Sequence, residues 1–131
     1  MKIDKTLLDG LSCEAAASRR QRMNRDLRNS PSDGSQRMLN ALEPGTVLPV
    51  HRHRSTSETC IMVRGAAEEI FYDDRGEVTE RVSMRAGSDC AGVQIEAGRW
   101  HKIVALEPGT VIFEAKDGPY EPITDEDILK V

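Results

Sequence analysis

Aromatic side chains are scarce in this sequence: two Phe, two Tyr and one Trp make up 4% of it. A folded core must therefore be aliphatic, built from Val, Ile, Leu, Ala and Met, and a barrel made from it should be small. Positive charge is not in excess either. With 18 Lys and Arg against 22 Asp and Glu, the formal net charge of -4 excludes the dominant positive field that phosphate-backbone binding needs, so nucleic acid is not an expected partner. No apolar run approaches the roughly 20 residues of a membrane span. The start, MKIDKTLLDGLSCEAAA, lacks the basic region, apolar stretch and cleavage site of a signal peptide. The expectation is a cytoplasmic protein without a membrane partner. Cysteine is limited to Cys13, Cys60 and Cys90, an odd number without a CxxC pair. Neither a disulfide framework nor a thiolate zinc site is suggested, and reduced thiols are expected. Histidine is equally rare, three residues in all, yet their spacing carries the strongest chemical signal in the chain.

At 131 residues the chain is long enough for one core and too short for two ordinary domains. Residues 4 to 22 read as a helix: Asp4 caps it, Leu7, Leu8 and Leu11 share a face, an alanine-rich turn follows, and Gly10 weakens the pattern. The arginine-rich stretch Arg19, Arg20, Arg22, Arg25 and Arg28 reads first as a solvated face and second as an anion-binding or subunit contact. From Gln36 onward, short β-branched and aliphatic segments are bounded by Pro, Gly or Asp, which predicts an antiparallel all-β structure. Expected strands are 36–42, 46–51, 58–64, 67–73, 78–84, 92–96, 101–106 and 110–116, enough for a small sandwich or barrel. Asp73-Asp74-Arg75-Gly76 reads as a hairpin turn. Thr124-Asp125-Glu126-Asp127 reads as the capped start of a short C-terminal helical segment. The expected division is an N-terminal helical extension at 1–30, a barrel at 31–122 and a helical tail at 123–131. One hexapeptide, Leu-Glu-Pro-Gly-Thr-Val, occurs at 42–47 and 106–111. Its Pro-Gly pair suits the centre of a type II turn, so two equivalent strand connections are expected.

His51 and His53 stand two apart on a predicted strand, so both imidazoles project from one face while Arg52 projects from the other. Glu58 follows, and His101 begins a later strand after Gly98. Three neutral imidazoles and one carboxylate suit one divalent transition metal ion: Fe, Mn, Ni, Co or Zn. An HxH pair alone is weak evidence, because two surface histidines on a solvated strand explain it as well. The wider pattern is stronger. From Gly45 the chain reads Gly, five residues, His51, one residue, His53, four residues, Glu58, six residues, Gly65, which resembles the first sequence motif of the cupin superfamily along its whole length. Gly98 and His101 resemble part of the second motif, with Glu96 where proline is usual and Ala105 where asparagine is usual. Arg37 to Thr46, Gly98-Arg99-Trp100-His101, Leu106 to Val111 and Lys116-Asp117-Gly118-Pro119-Tyr120 resemble the WbuC family of cupin fold metalloproteins over roughly residues 20 to 128. That resemblance implies a jelly-roll barrel (a double-stranded β-helix), a bound metal, bacterial origin and an association with surface polysaccharide (O-antigen) gene clusters.

If Glu58 faces the barrel interior, strand alternation places Cys60, Met62 and Arg64 beside it. Cys60 reads either as a substrate-contacting thiol or as a small core residue. Arg99 reads as a carboxylate or phosphate contact at the cavity mouth or as a surface residue, and Tyr120 as a pocket-closing or a packing residue. Besides the ligands, Cys60, Arg64 and Arg99 are the ionisable groups expected inside, so no acid or base is assigned. Four protein ligands on an octahedral ion leave two positions for a small-molecule ligand, which allows enzyme chemistry such as a dioxygenase or isomerase reaction. The expected function is a metal-binding cupin acting on a small anionic or sugar-derived metabolite. Two alternatives are a noncatalytic cupin whose metal anchors a sugar or nucleotide sugar, and a purely structural metal. Exposed sheet edges make a homodimer a natural partner arrangement.

Overall fold

The computed structural model describes residues 1–130. One helix, α1 (Lys5–Ala17), precedes eight strands: β1 (Arg22–Asp26), β2 (Ser35–Leu42), β3 (Glu58–Arg64), β4 (Ala66–Tyr72), β5 (Val78–Arg85), β6 (Gly92–Ile95), β7 (Trp100–Ala105) and β8 (Thr110–Asp117). Among the described residues they form two antiparallel sheets, ordered β1-β2-β8-β3-β6 and β5-β4-β7. Asp4 caps α1 by accepting a 3.0 Å hydrogen bond from the Leu7 amide, as its position predicts. The helix stops short of residue 22 because Ser18 turns extended and the Gln21 side-chain amide donates to the carbonyls of Ala16 and Ser18, holding the exposed carbonyl end. The residues after it therefore supply a strand that the sequence pattern does not predict. In consequence the first 30 residues are not purely helical, since β1 pairs with β2 along its length.

The five-stranded sheet has two apolar faces. Inward, Leu42, Cys60, Met62 and Ile112 meet Ala67, Met84 and Ala105 of the other strands in one buried cluster. Outward, Leu39, Ala41 and Val111 pack under Leu8, Leu11 and Ala15 of α1. This double burial explains why adjacent residues, Ala41 and Leu42 of β2 and Val111 and Ile112 of β8, are both buried instead of alternating with exposed ones. No helix of the structure is long and apolar enough to cross a membrane.

Two turns behave as their residues predict and one does not. Gly76 takes φ +84° in the β4–β5 hairpin, where the Asp73 amide donates to the Glu77 carbonyl. Gly109 takes φ +75° after Pro108, consistent with a type II turn. Gly45 has no positive φ; instead the Thr46 amide donates to the Glu43 carbonyl at 3.0 Å. The repeated hexapeptide thus makes two different connections, because its first copy is tied down by Gln21, whose carbonyl accepts from the Glu43 amide and the Thr46 hydroxyl. The C-terminal helical segment is a single 3-10 turn at Asp125–Asp127.

Candidate metal centre

Residues 46–51, expected as a strand, run as irregular chain apart from isolated bridges at His51. The segment is nevertheless held on both sides. His51 exchanges both backbone hydrogen bonds with His101, at 3.0 and 2.9 Å. The Arg52 amide donates to the Asp127 carbonyl, the Leu129 amide to Val50, and the Gly98 amide to His53. The C-terminal tail and the start of β7 therefore do for His51 and His53 what a neighbouring strand would have done. Gly98, at φ +84°, lets the chain turn into β7 immediately before His101.

The structure brings His51, His53, Glu58 and His101 together: one ligand atom from each lies within 4.8 Å of the others, so the group can hold one metal ion. Two imidazoles are oriented by the backbone. Nδ1 of His51 lies 3.1 Å from the Pro49 carbonyl, and Nδ1 of His101 lies 2.8 Å from the Arg99 carbonyl. A carbonyl only accepts, so each Nδ1 carries the proton and each Nε2 presents a lone pair, the arrangement usual for metal-binding histidines. Glu58, 7% exposed, has Oε2 at 3.4 Å from Nε2 of both His53 and His101, yet that buried oxygen accepts no hydrogen bond. Donor atoms that converge without bonding one another are what an ion between them would satisfy, and the residues fit a divalent metal on that ground.

Electrostatics favours the same use at His51 and Glu58, while a metal at His101 would have to displace a proton. Burial, reinforced by the neighbouring His101, pushes His51 down to about 4, so it is neutral and ready to ligate near pH 7. Burial alone would also push His101 down, but the Glu58 carboxylate outweighs it and the net shift is upward. Glu58 is held well below the usual carboxylate range: burial opposes ionisation, but the adjacent His101 and His53 imidazoles prevail.

The centre opens into a cavity of about 260 Å³ whose walls include Arg22, Asn40, Cys60, Glu69, Glu114 and Lys116. Cys60 is buried there, and burial raises its thiol well above the ordinary value, so it lines the wall as a neutral group. The other three residues expected near a substrate lie elsewhere. Arg64 leaves the inward face because the β3–β8 register shifts between Met62 and Arg64; its guanidinium binds the Gly109 carbonyl, Asp9 and Ser12. Arg99 stacks 3.7 Å over the Phe71 ring and pairs with Glu80 at 2.8 Å. Tyr120 is 58% exposed and does not line the cavity.

Conversely, the expectation of no further acid or base inside the barrel is corrected by Glu69 and Glu114. Glu69 is 2% exposed, its Oε1 has no partner, and burial pushes it up to about 7. Glu114 is also shifted upward, first by burial and then by the adjacent Glu58, while Asn40 donates to it at 3.2 Å. Glu114 was findable by alternation from Ile112. Glu69 was not, because both faces of Ala67-Glu68-Glu69-Ile70 carry one glutamate.

A family described as Domain of unknown function (DUF6016) matches residues 3–84. The chain belongs to this family. No match emerged among curated proteins. Among solved structures, KdgF from Halomonas sp. superimposes with a TM-score of 0.59 at 18% identity, covering 76% of this chain and 82% of that one. Oxalate oxidase in complex with the substrate analogue glycolate gives 0.65 at 14% identity, over 83% of this chain and 57% of that one. Oxalate decarboxylase from Bacillus subtilis, a protein with Mn(II) centres, gives 0.59 at 21% identity, over 84% of this chain and 28% of that one. This chain therefore spans little more than half of the oxalate oxidase and under a third of the decarboxylase. These likenesses establish the cupin jelly-roll barrel. With the convergent His-His-Glu-His group, they support a metal-binding cupin; the WbuC family expected from sequence is not among the matches.

Proposed function

We propose that this protein is a mononuclear metal-dependent cupin acting on a small anionic or sugar-derived metabolite. One observation carries the reading: the buried Glu58 Oε2 has no hydrogen-bond partner although two imidazole Nε2 atoms stand 3.4 Å away. A divalent ion held by His51, His53, Glu58 and His101 supplies Lewis acidity and neutralises charge on a ligand oxygen. The rest is done by the chain. The cavity of about 260 Å³ is below the usual range for drug-sized ligands and suits a few heavy atoms. Arg22 and Lys116 on its wall favour an anion, and glycolate, the analogue held by the oxalate oxidase relatives, belongs to that size class. Glu69 and Glu114 offer proton-carrying groups beside the ligand, as a dioxygenase or isomerase reaction would use. The likeness of Gly98-Arg99-Trp100-His101 and its flanking segments to the WbuC family adds bacterial surface-polysaccharide metabolism as the proposed setting.

The test begins with elemental analysis of protein purified without chelators or a histidine tag, followed by reconstitution with Fe(II), Mn(II), Co(II), Ni(II) or Zn(II) and a panel of small acids and sugar derivatives. Turnover by at least one pairing is expected. Silence in protein shown to be loaded overturns catalysis and leaves the noncatalytic binder, whose mark is metal-dependent calorimetric binding without product.

A further inference from the structure

Most arginines of this protein hold a carboxylate: Arg28, Arg52, Arg64, Arg81 and Arg99 each make at least one ion pair. Arg22 is different. Among the described residues it makes neither an ion pair nor a side-chain hydrogen bond, although it is half-buried. Its direction follows from register. In β1, Arg22 stands opposite Leu42 and Asn24 opposite Asn40, and paired residues share a face. Leu42 belongs to the inward cluster, whereas Met23, between them, packs outward under α1. Arg22 accordingly lines the metal cavity. It keeps its charge there, since burial and Arg20 depress an intrinsically very basic group.

The opposite sheet presents the complement. Glu69 of β4 lines the same cavity with a buried Oε1 that lacks any donor. An unpaired cation and an unpaired carboxyl thus face one space that also holds four convergent metal donors. An orphaned buried oxygen costs free energy until a donor reaches it, and the Arg22 guanidinium is left free to take a ligand anion. The bare Glu69 Oε1 can accept whether the group is ionised or carries its proton on the other oxygen, so that end suits a hydroxyl donor. A neutral sugar would leave Arg22 unpaired.

Resting on the metal reading above, we propose that Arg22 and Glu69 form a recognition pair for a small hydroxycarboxylate: Arg22 binds its carboxylate and Glu69 accepts from its hydroxyl, in the cavity that the four metal donors also line. Lys116, whose Nζ lies 3.4 Å from His53 Nε2, adds a second positive charge to the wall of the same cavity.

Calorimetric titration of the metal-loaded full chain with glycolate, glycolamide and methoxyacetate tests this, with metal content measured before any ligand is added. Glycolate should bind at least 10-fold more tightly than glycolamide, which lacks the charge, and than methoxyacetate, which lacks the hydroxyl donor. Arg22→Gln should weaken glycolate at least 10-fold, leave glycolamide and the metal content unchanged, and be partly rescued by Arg22→Lys. Equal glycolate binding by wild type and Arg22→Gln, both loaded, overturns the pair while leaving the metal reading intact. So does a loaded wild type that fails to distinguish glycolate from either analogue, a comparison that needs no variant to fold. A wild type that takes up no metal overturns the metal reading itself, and the pair with it.

Discussion

At the scale of single residues, the centre combines groups that are costly to bury with groups that make burial tolerable. Glu58 lies deep in the barrel, and its ionised form persists because His53 and His101 stand beside it. Glu58→Gln keeps the volume and removes the charge, so metal affinity should fall by about 100-fold or more, since even outer-shell changes cost 10- to 100-fold; a competitive chelator titration measures it. Glu69 has no such neighbour on its Oε1. In the metal-free protein its folded value is about 7 against an ordinary 4.5, so the folded state binds more protons than the unfolded one between those values. Stability should therefore be highest near pH 4.5 and below as far as this group is concerned, and decline as pH rises through 7, by on the order of 3 kcal/mol at most. Glu69→Gln should flatten that part of the profile of Tm against pH. A decline of unchanged slope in the variant would assign the pH dependence to another group.

At the scale of elements, close backbone approach and remote tethering decide the geometry. Gly65 joins β3 to β4 at φ +82°, and a Cβ placed there would come 2.5 Å from Thr110 Oγ1 and 2.9 Å from its Cα. Gly65→Ala should destabilise the fold by about 2 kcal/mol or more, read from urea unfolding. Gly10, inside α1 with nothing within 4 Å of its Cβ position, is the opposite case. Gly10→Ala should stabilise by about 0.5–1 kcal/mol. The segment carrying His51 and His53 depends on the tail: Asp127 accepts from Arg52 at 3.1 Å and Arg54 at 2.7 Å. Asp127→Ala should lower metal affinity about 10-fold while changing Tm little, because no residue of the two buried clusters is touched. An equal loss of stability and affinity would mean that the tail supports the barrel rather than the centre.

At the scale of the whole molecule, the metal centre sits at one end of a barrel whose apolar clusters form without it. The inward cluster around Met62 and Ile112 and the helix-covered cluster around Leu39 and Val111 contain no proposed ligand. Chelation should therefore leave the β-sheet circular dichroism spectrum intact and lower Tm by the amount that mass action removes, increasing with free metal concentration before chelation. Loss of the spectrum on chelation would instead indicate a structural metal.

Composition and spacing in the sequence determined the all-β class, the aliphatic core, most strand positions and the four residues that converge, because strand periodicity and the interval between metal donors are local properties of a chain. Only the tertiary structure decided how His51 and His53 are held without a strand, since their supports come from His101 and from residues near 127–129. It also removed Arg64 from the interior through a register shift that no alternation pattern reveals. Finally, it placed Arg22 and Glu69 in the metal cavity. An arginine within a basic run and a glutamate within a Glu-Glu pair carry no signal of direction until two sheets close around one space.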